Sequence, residues 1–319
     1  MTDTVSVDLG GTWLRIRVGS AIERFPAPSV LQQPGLSVDR LLQQLVDTLD
    51  VHVPHGARVN MSCGAALDEQ KGVALGSGPL WGDAPSGEIP LLHMLSSRRP
   101  DVRWTLVNDV TAGLASYAQG FARPTDRHLA YITISSGIAV RTAYLAEKVV
   151  PVDHRGLQGE VGHVRAVSSA PPAVLQLPCA CGGVGHISSM SSGPGVAAVA
   201  QVLGIDYEER SFASSLAEGI DDLARLLTVV VEPIAELIRT MITLDPRLDR
   251  IGIGGGVAEG LVGFYERELI AQLAGSRSYA DSLTSDRVRE IIHVCAPGDI
   301  DTLSGADAIA DGYLRVTKI

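Results

Sequence analysis

The sequence predicts two α/β lobes flanking a cleft, and three observations predict it. A strand, a glycine turn and a return strand open the chain at residues 5–18, and the same unit recurs at residues 129–145. In each half strands come first and helices follow, the order of a mixed sheet covered by helices. Apolar residues make up 45% of the 319 and charged residues 19%, enough for a sizeable core and too apolar for disorder.

Residues 5–18 read V-S-V-D-L-G-G-T-W-L-R-I-R-V, where apolar alternation runs into Asp8 and Gly10-Gly11 and then resumes. That is the pattern of a β-hairpin with a glycine turn. Leu41, Leu42, Leu45, Val46 and Leu49 recur at helical spacing over residues 38–49. Residues 57–63 and 104–107 read as strands. The second ends at Asn108-Asp109, and a helix carrying Ala112, Leu114, Ala115 and Ala118 follows, so Asp109 stands at a strand-to-helix junction where the helix dipole acts. Residues 129–134 and 138–145 form the second hairpin around Ser135-Ser136-Gly137. Residues 76–87 and 168–185 are rich in Gly, Pro and Ser and read as loops. A helix over 222–244 stops at Asp245-Pro246, a strand over 250–253 runs into Gly254-Gly255-Gly256, and a last helix covers 304–314.

Composition excludes several classes. The 26 Lys and Arg against 36 Asp and Glu give a net charge of −10, which argues against a nucleic-acid surface spread over the chain. Four cysteines, Cys63, Cys179, Cys181 and Cys295, are too few for a disulfide scaffold. No signal peptide is recognisable, and the most apolar stretch, 223–238, is broken by Arg225, Glu232, Pro233 and Glu236, so it reads as a buried helix. A reduced, cytoplasmic protein is expected.

Three glycine turns are candidates for chemistry. Gly10, Gly11 and Thr12 at the first hairpin tip can bring N–H groups and a hydroxyl to a phosphate, and Asp8 can hold Mg²⁺ through water. An ordinary glycine turn is the competing reading. Ser136 and Gly137 repeat the geometry in the second half. Gly254, Gly255 and Gly256 offer a flat floor for a nucleotide, or a plain strand-to-helix turn. Asp109 reads alone as a helix N-cap. Glu160 and His163 lie three residues apart, and Cys179, Cys181 and His186 form C-x-C-x4-H, a zinc-type spacing or two free thiols and a histidine.

Taken together, D-L-G-G-T, Asn108-Asp109, G-L-Q-G-E-V-G-H over 156–163, C-A-C-G-G-V-G-H over 179–186 and L-D-P-R-L-D-R-I-G-I-G-G-G over 244–256 resemble the ROK sugar-kinase family of the actin, hexokinase and Hsp70-like superfamily. The resemblance implies a two-lobed, ribonuclease H-like α/β fold. Residues 1–115 with a C-terminal helix in 304–319 would form the small lobe, and 116–303 the large lobe with an inserted zinc-binding loop. It implies Mg-ATP bound at the three glycine turns and Asp109 as general base toward a sugar hydroxyl. Asn108, Glu160, His163 and Ser188 would face the substrate. A structural Zn²⁺ would be held by His163, Cys179, Cys181 and His186, with His186 standing where the family has its last cysteine. Cys63 and Cys295 remain plain thiols. A homodimer, with no nucleic-acid or membrane partner, is the family expectation.

Departures from the family bear on the substrate. Ser188 stands where the family usually carries a second Glu, near the anomeric end of the sugar. The second phosphate segment, usually G-T-G-I-G-G, is Ser135-Ser136-Gly137-Ile138-Ala139-Val140, whose bulkier end predicts a differently seated loop. The family's sugar loop is reduced to Gly78-Pro79-Leu80-Trp81. An ATP-dependent kinase of a hexose or hexose-like primary hydroxyl is the leading expectation, glucose ranking first on family frequency. A kinase of a C7-cyclitol such as a valiolone, or of kanosamine, is the alternative suggested by Ser188. A non-catalytic sugar-binding protein is a third. A sugar-sensing regulator is disfavoured, because Asp8 lies too near the start for a helix-turn-helix ahead of it.

Overall fold

A computed structural model describes residues 3–82, 87–279 and 281–319. The chain divides into two compact units. One comprises Met1–Phe121, Ala143–Gln158 and Ile300–Ile319, the other Ala122–Thr142 and Gly159–Asp299. Residues 143–158 thus join the first unit, where the sequence reading ran the second lobe unbroken from 116 to 303.

The first unit is built on a five-stranded sheet in the order Ala21–Pro26, Trp13–Val18, Thr4–Leu9, Arg58–Cys63, Arg103–Asn108. The opening hairpin pairs antiparallel, with Leu9 opposite Leu14. The strands Thr4–Leu9, Arg58–Cys63 and Arg103–Asn108 run parallel, and their register sets Leu9, Cys63 and Asn108 in one row at their C-terminal ends. The helix Val38–His52 buries Leu41, Leu42, Leu45, Val46 and Leu49, the stripe its spacing predicts. Asp109–Phe121 forms the helix expected after Asn108-Asp109.

The last helix is Thr302–Ala310, shorter than the predicted 304–314. Asp301 caps it through Leu303 N and Ser304 N, and Gly312, at φ +81°, turns the chain away after it. It packs against Asp109–Phe121, where a Cβ on Gly305 would run into the Ala112 carbonyl oxygen. A strand the sequence reading missed, Arg315–Lys318, then pairs parallel with Val149–Val152. The edge strand Ala21–Pro26 was missed too; its exposed A-I-E-R-F-P lacks a clean alternation.

In the second unit, Ile292–Val294, Arg250–Gly254, His128–Ile134 and the strand beginning at Ile138 lie side by side. The 24-residue helix Asp221–Leu244 crosses the core with Pro233 inside it, and buries Leu226, Leu227, Val230, Val231, Ile234 and Ile238. The second hairpin turns at Ser135-Ser136-Gly137, as read from the sequence. Ala139 and Val140 lie in the strand Ile138–Tyr144 and are buried, so their bulk goes into the sheet rather than into the turn. Of the 76–87 loop, residues 83–86 lie outside the described residues; Gly78–Trp81 is a short helix capped by Ser77. Among the described residues no helix is long and apolar enough to cross a membrane.

Candidate active site

In the first unit the parallel register brings three predicted segments to one sheet edge. Past Leu9 comes the Gly10–Thr12 turn, closed by Gly10 N donating to Trp13 O at 3.0 Å. Past Cys63 comes Gly64, and past Asn108 comes Asp109. Gly64 is where they meet. A Cβ there would lie 3.3 Å from Asp109 Oδ2, 3.3 Å from Leu9 O and 3.6 Å from Gly10 Cα. A side chain at Gly64 would be tight against both, so the Asp109 carboxylate and the Leu9 carbonyl would have to give by a few tenths of an ångström to admit one. The carboxylates of Asp8 and Asp109 both act on the buried Cys63 thiol, whose pKa is pushed far up, first by burial and then by these two charges. Cys63 is therefore an inert core thiol, as expected. Burial likewise raises Cys295 to about 12.

Asn108 is buried and its amide is fully used. Oδ1 accepts from Val110 N at 3.0 Å and Thr111 N at 3.2 Å, capping the helix. Nδ2 donates to Ala65 O at 2.8 Å and to Asp109 Oδ1 at 3.3 Å. A bond from Asn108 to a substrate hydroxyl would compete with these. Asp109 Oδ1 also accepts from Val110 N at 2.9 Å. Glu69, which sequence reasoning missed, accepts from Asn108 N at 3.0 Å and fixes the junction from outside. Nothing in its sequence surroundings marks it, because the contact spans 39 positions. Asp8 is paired by Arg15, whose Nη2 lies 2.9 Å from Oδ2 and also donates to Thr302 Oγ1 at 2.7 Å. Arg15 stands opposite Asp8 across the hairpin, a pairing the period of two could have disclosed.

In the second unit two glycine turns adjoin. Thr133 is in register with Gly254, and a Cβ on Gly255, at φ +93°, would crowd the backbone of Ile134. Gly193 N donates to Ser135 O at 2.8 Å, so the 11-residue helix Gly193–Leu203 starts at the Ser135-Ser136-Gly137 turn. N-terminal N–H groups and their dipole favour a phosphate there. Gly256 opens a further short helix, and Glu259, also missed, accepts from Gly255 N at 2.8 Å.

Glu160 and His163 lie on one short turn, with His163 N donating to Glu160 O at 3.2 Å. The turn is pressed on the strand at Ile138: a Cβ on Gly162 would strike Ser188 Oγ and the Ile138 carbonyl oxygen. Ser188 therefore faces the segment that carries Glu160 and His163. The chain around 164–166 runs antiparallel to that around 185–187, through Ile187 N to Val164 O at 2.9 Å and Ala166 N to Gly185 O at 2.8 Å. This zipper gathers His163, Cys179, Cys181 and His186, whose ligand atoms all lie within 4.8 Å of one another. Cys179 Sγ is 3.6 Å from His163 Nδ1, and Cys181 Sγ is 3.2 Å from His186 Nδ1. Tetrahedral zinc with N and S ligands has ligand–ligand edges of about 3.3–3.8 Å, so the donor set fits such an ion with small adjustment. Gly183 leaves room for the His186 ring, which a Cβ there would strike.

The ROK family profile matches residues 4–305, and the chain belongs to the ROK family. It is a kinase of that family. It is 38% identical to the 2-epi-5-epi-valiolone 7-kinase of Actinoplanes sp., over 95% of this chain and 91% of that protein. It is 31% identical to a C(7)-cyclitol 7-kinase of Streptomyces hygroscopicus subsp. jinggangensis, over 60% of this chain and 56% of that one. Its fold is that of a ROK family glucokinase from Streptomyces griseus, solved in complex with glucose and AMPPNP, at TM-score 0.70 and 15% identity over 95% of this chain and 97% of that one. The two-lobed α/β expectation holds at the level of fold class.

Proposed function

We propose that this chain transfers the γ-phosphoryl group of Mg-ATP to the primary hydroxyl of a C7-cyclitol of the valiolone type. The observation that carries the chemistry is the meeting of Asp109 and the first glycine turn across Gly64. A phosphoryl acceptor alcohol must lose its proton as the new bond forms, and a fixed carboxylate takes it. Asp109 is that base. Asn108 and Glu69 hold it, with Asn108 adding a hydrogen bond to the acceptor where its own bonds yield. The turns at Gly10–Thr12, Ser136-Gly137 and Gly254–Gly256 bind the nucleotide, and Asp8, steadied by Arg15, is the residue for water-bound Mg²⁺.

Glu160 and His163 bind acceptor hydroxyls. Ser188 beside them selects the substrate. A carboxylate at 188 would accept from an anomeric hydroxyl, whereas a short neutral side chain leaves space for a cyclitol ketone. The likeness to the Actinoplanes 7-kinase supports that acceptor over glucose. His163, Cys179, Cys181 and His186 hold a structural Zn²⁺, which ties the 163, 179–181 and 186 segments together and supplies no step of the reaction. We read the working enzyme as a cytoplasmic homodimer.

The test compares kcat/KM on a valiolone-type cyclitol, kanosamine and glucose, in the wild type and in Ser188→Glu. The cyclitol should lead in the wild type, and Ser188→Glu should shift preference toward glucose by about tenfold or more. A wide wild-type preference for glucose that Ser188→Glu leaves unchanged would show that position 188 does not read the substrate.

A further inference from the structure

Arg141 has the largest fully buried side chain among the described residues, 1% exposed within the strand Ile138–Tyr144. A buried guanidinium costs several kcal/mol unless it is paired and hydrogen-bonded, and an apolar side chain of like volume would usually be the more stable choice. Its pairing is incomplete. Nη2 lies 3.6 Å from Glu160 Oε1, Nη1 donates to Val140 O at 3.3 Å, and Nε finds no hydrogen-bond partner among the described residues. A salt bridge serving stability alone would close to hydrogen-bond length and satisfy Nε. Here the carboxylate stands off and stays about one-third exposed, at 34%.

The backbone fixes this stand-off. Val140 N donates to Gly159 O at 2.9 Å, and Gly159, at φ +65°, has no space for a Cβ against the Val140 carbonyl. The residues next to both partners are thus locked together, and the remaining freedom is that of the Glu160 side chain.

We propose that Arg141 is a positioning residue for the phosphoryl acceptor, a role that rests on the kinase reading above. Its charge draws on Oε1 and turns the Glu160 carboxylate so that it takes hydrogen bonds from two neighbouring hydroxyls of the acceptor. The substrate class this implies is a polyol with a vicinal diol opposite Glu160, and an analogue lacking either hydroxyl is rejected.

Steady-state kinetics on Arg141→Met and Arg141→Lys test it, with a polyol acceptor, its monodeoxy analogue and ATP varied separately. Arg141→Met should raise the acceptor KM by about tenfold to a hundredfold, leave kcat and the ATP KM within about twofold, and shrink the penalty on the deoxy analogue. Arg141→Lys keeps the charge without the planar fork and should recover part of the acceptor KM. Should Arg141→Met fail to fold, Arg141→Lys alone carries the test through an intermediate KM. A wild-type acceptor KM and wild-type discrimination in the folded variants would overturn the role of Arg141 while leaving the kinase reading intact. A wild type that phosphorylates no polyol would overturn that reading, and this one with it.

Discussion

At the scale of single residues, the proposed reaction depends on where one carboxylate can stand. Asp109 Oδ1 is occupied by Val110 N and the Asn108 amide, and Oδ2 lies beside Gly64. Asp109→Asn keeps the size and can still accept from Val110 N, so the fold and acceptor binding should survive. Turnover should fall by about two or more orders of magnitude, the usual range for a lost general base. Rapid-quench measurement of phosphoryl transfer decides it, and a near-normal rate would remove Asp109 from the mechanism. The residues that sequence reading named at this scale were those next to a glycine or in a recognisable string. Glu69 and Arg141 were missed because their roles arise only when distant positions meet, whereas Arg15 and Glu259 were missed although their partners Asp8 and Gly255 lie close by in the sequence. Glu69 reaches Asn108 N, and Arg141 reaches Glu160, in both cases through backbone proximity that no local pattern encodes.

At the scale of elements, two devices are open to test. The first is the zipper of residues 163–187. Protein purified without added zinc should carry about one equivalent by metal analysis, since four N and S ligands make a closed structural site. Stripping the metal should loosen the turn bearing Glu160 and His163 and abolish acceptor binding, while nucleotide binding measured by calorimetry persists. Metal-free protein with full activity would refute both the site and its role. The second device is the cap of the helix Thr302–Ala310. Burial alone would raise the pKa of Asp301, yet the Ser304 hydroxyl, Arg17 and the N–H groups of Ser304 and Leu303 hold it below its ordinary value of about 3.8. A depressed carboxylate pKa gives stability that is complete above the ordinary value and is lost as pH falls through the lowered one. Asp301→Asn keeps a capping oxygen but no charge, so it should be less stable at neutral pH, by on the order of 1 kcal/mol given the partial exposure. The wild-type and variant melting temperatures should converge as pH drops below about 3.8. A constant gap across that range would show that the Asp301 charge contributes nothing.

At the scale of the whole molecule, the two hairpins, the helices Val38–His52, Asp109–Phe121 and Asp221–Leu244 and the three glycine turns were legible because each follows from alternation, helical spacing or a glycine at a strand end. The helix Val38–His52 buries the five leucine and valine positions that its spacing singled out. Among the elements that escaped were Ala21–Pro26, an exposed edge strand, Arg315–Lys318, whose strand state depends on pairing with Val149–Val152 far away in the chain, and the helices Leu91–Arg98, Gly193–Leu203 and Val262–Leu273. The fold class and the ROK family could be read because the motifs are spread from Asp8 to Gly256, through most of the 4–305 stretch that the family matches. The acceptor was harder to read, since in the proposed reading it turns on one residue, Ser188, and on a buried arginine whose partner lies 19 positions downstream. The most direct measurement is ADP release from Mg-ATP with a 2-epi-5-epi-valiolone-type cyclitol and with glucose, followed by phosphorus NMR of the product. Cyclitol-dependent ADP release, with the ester on the primary hydroxyl and a higher kcat/KM than for glucose, is the predicted result; no acceptor-dependent release with either compound would contradict it.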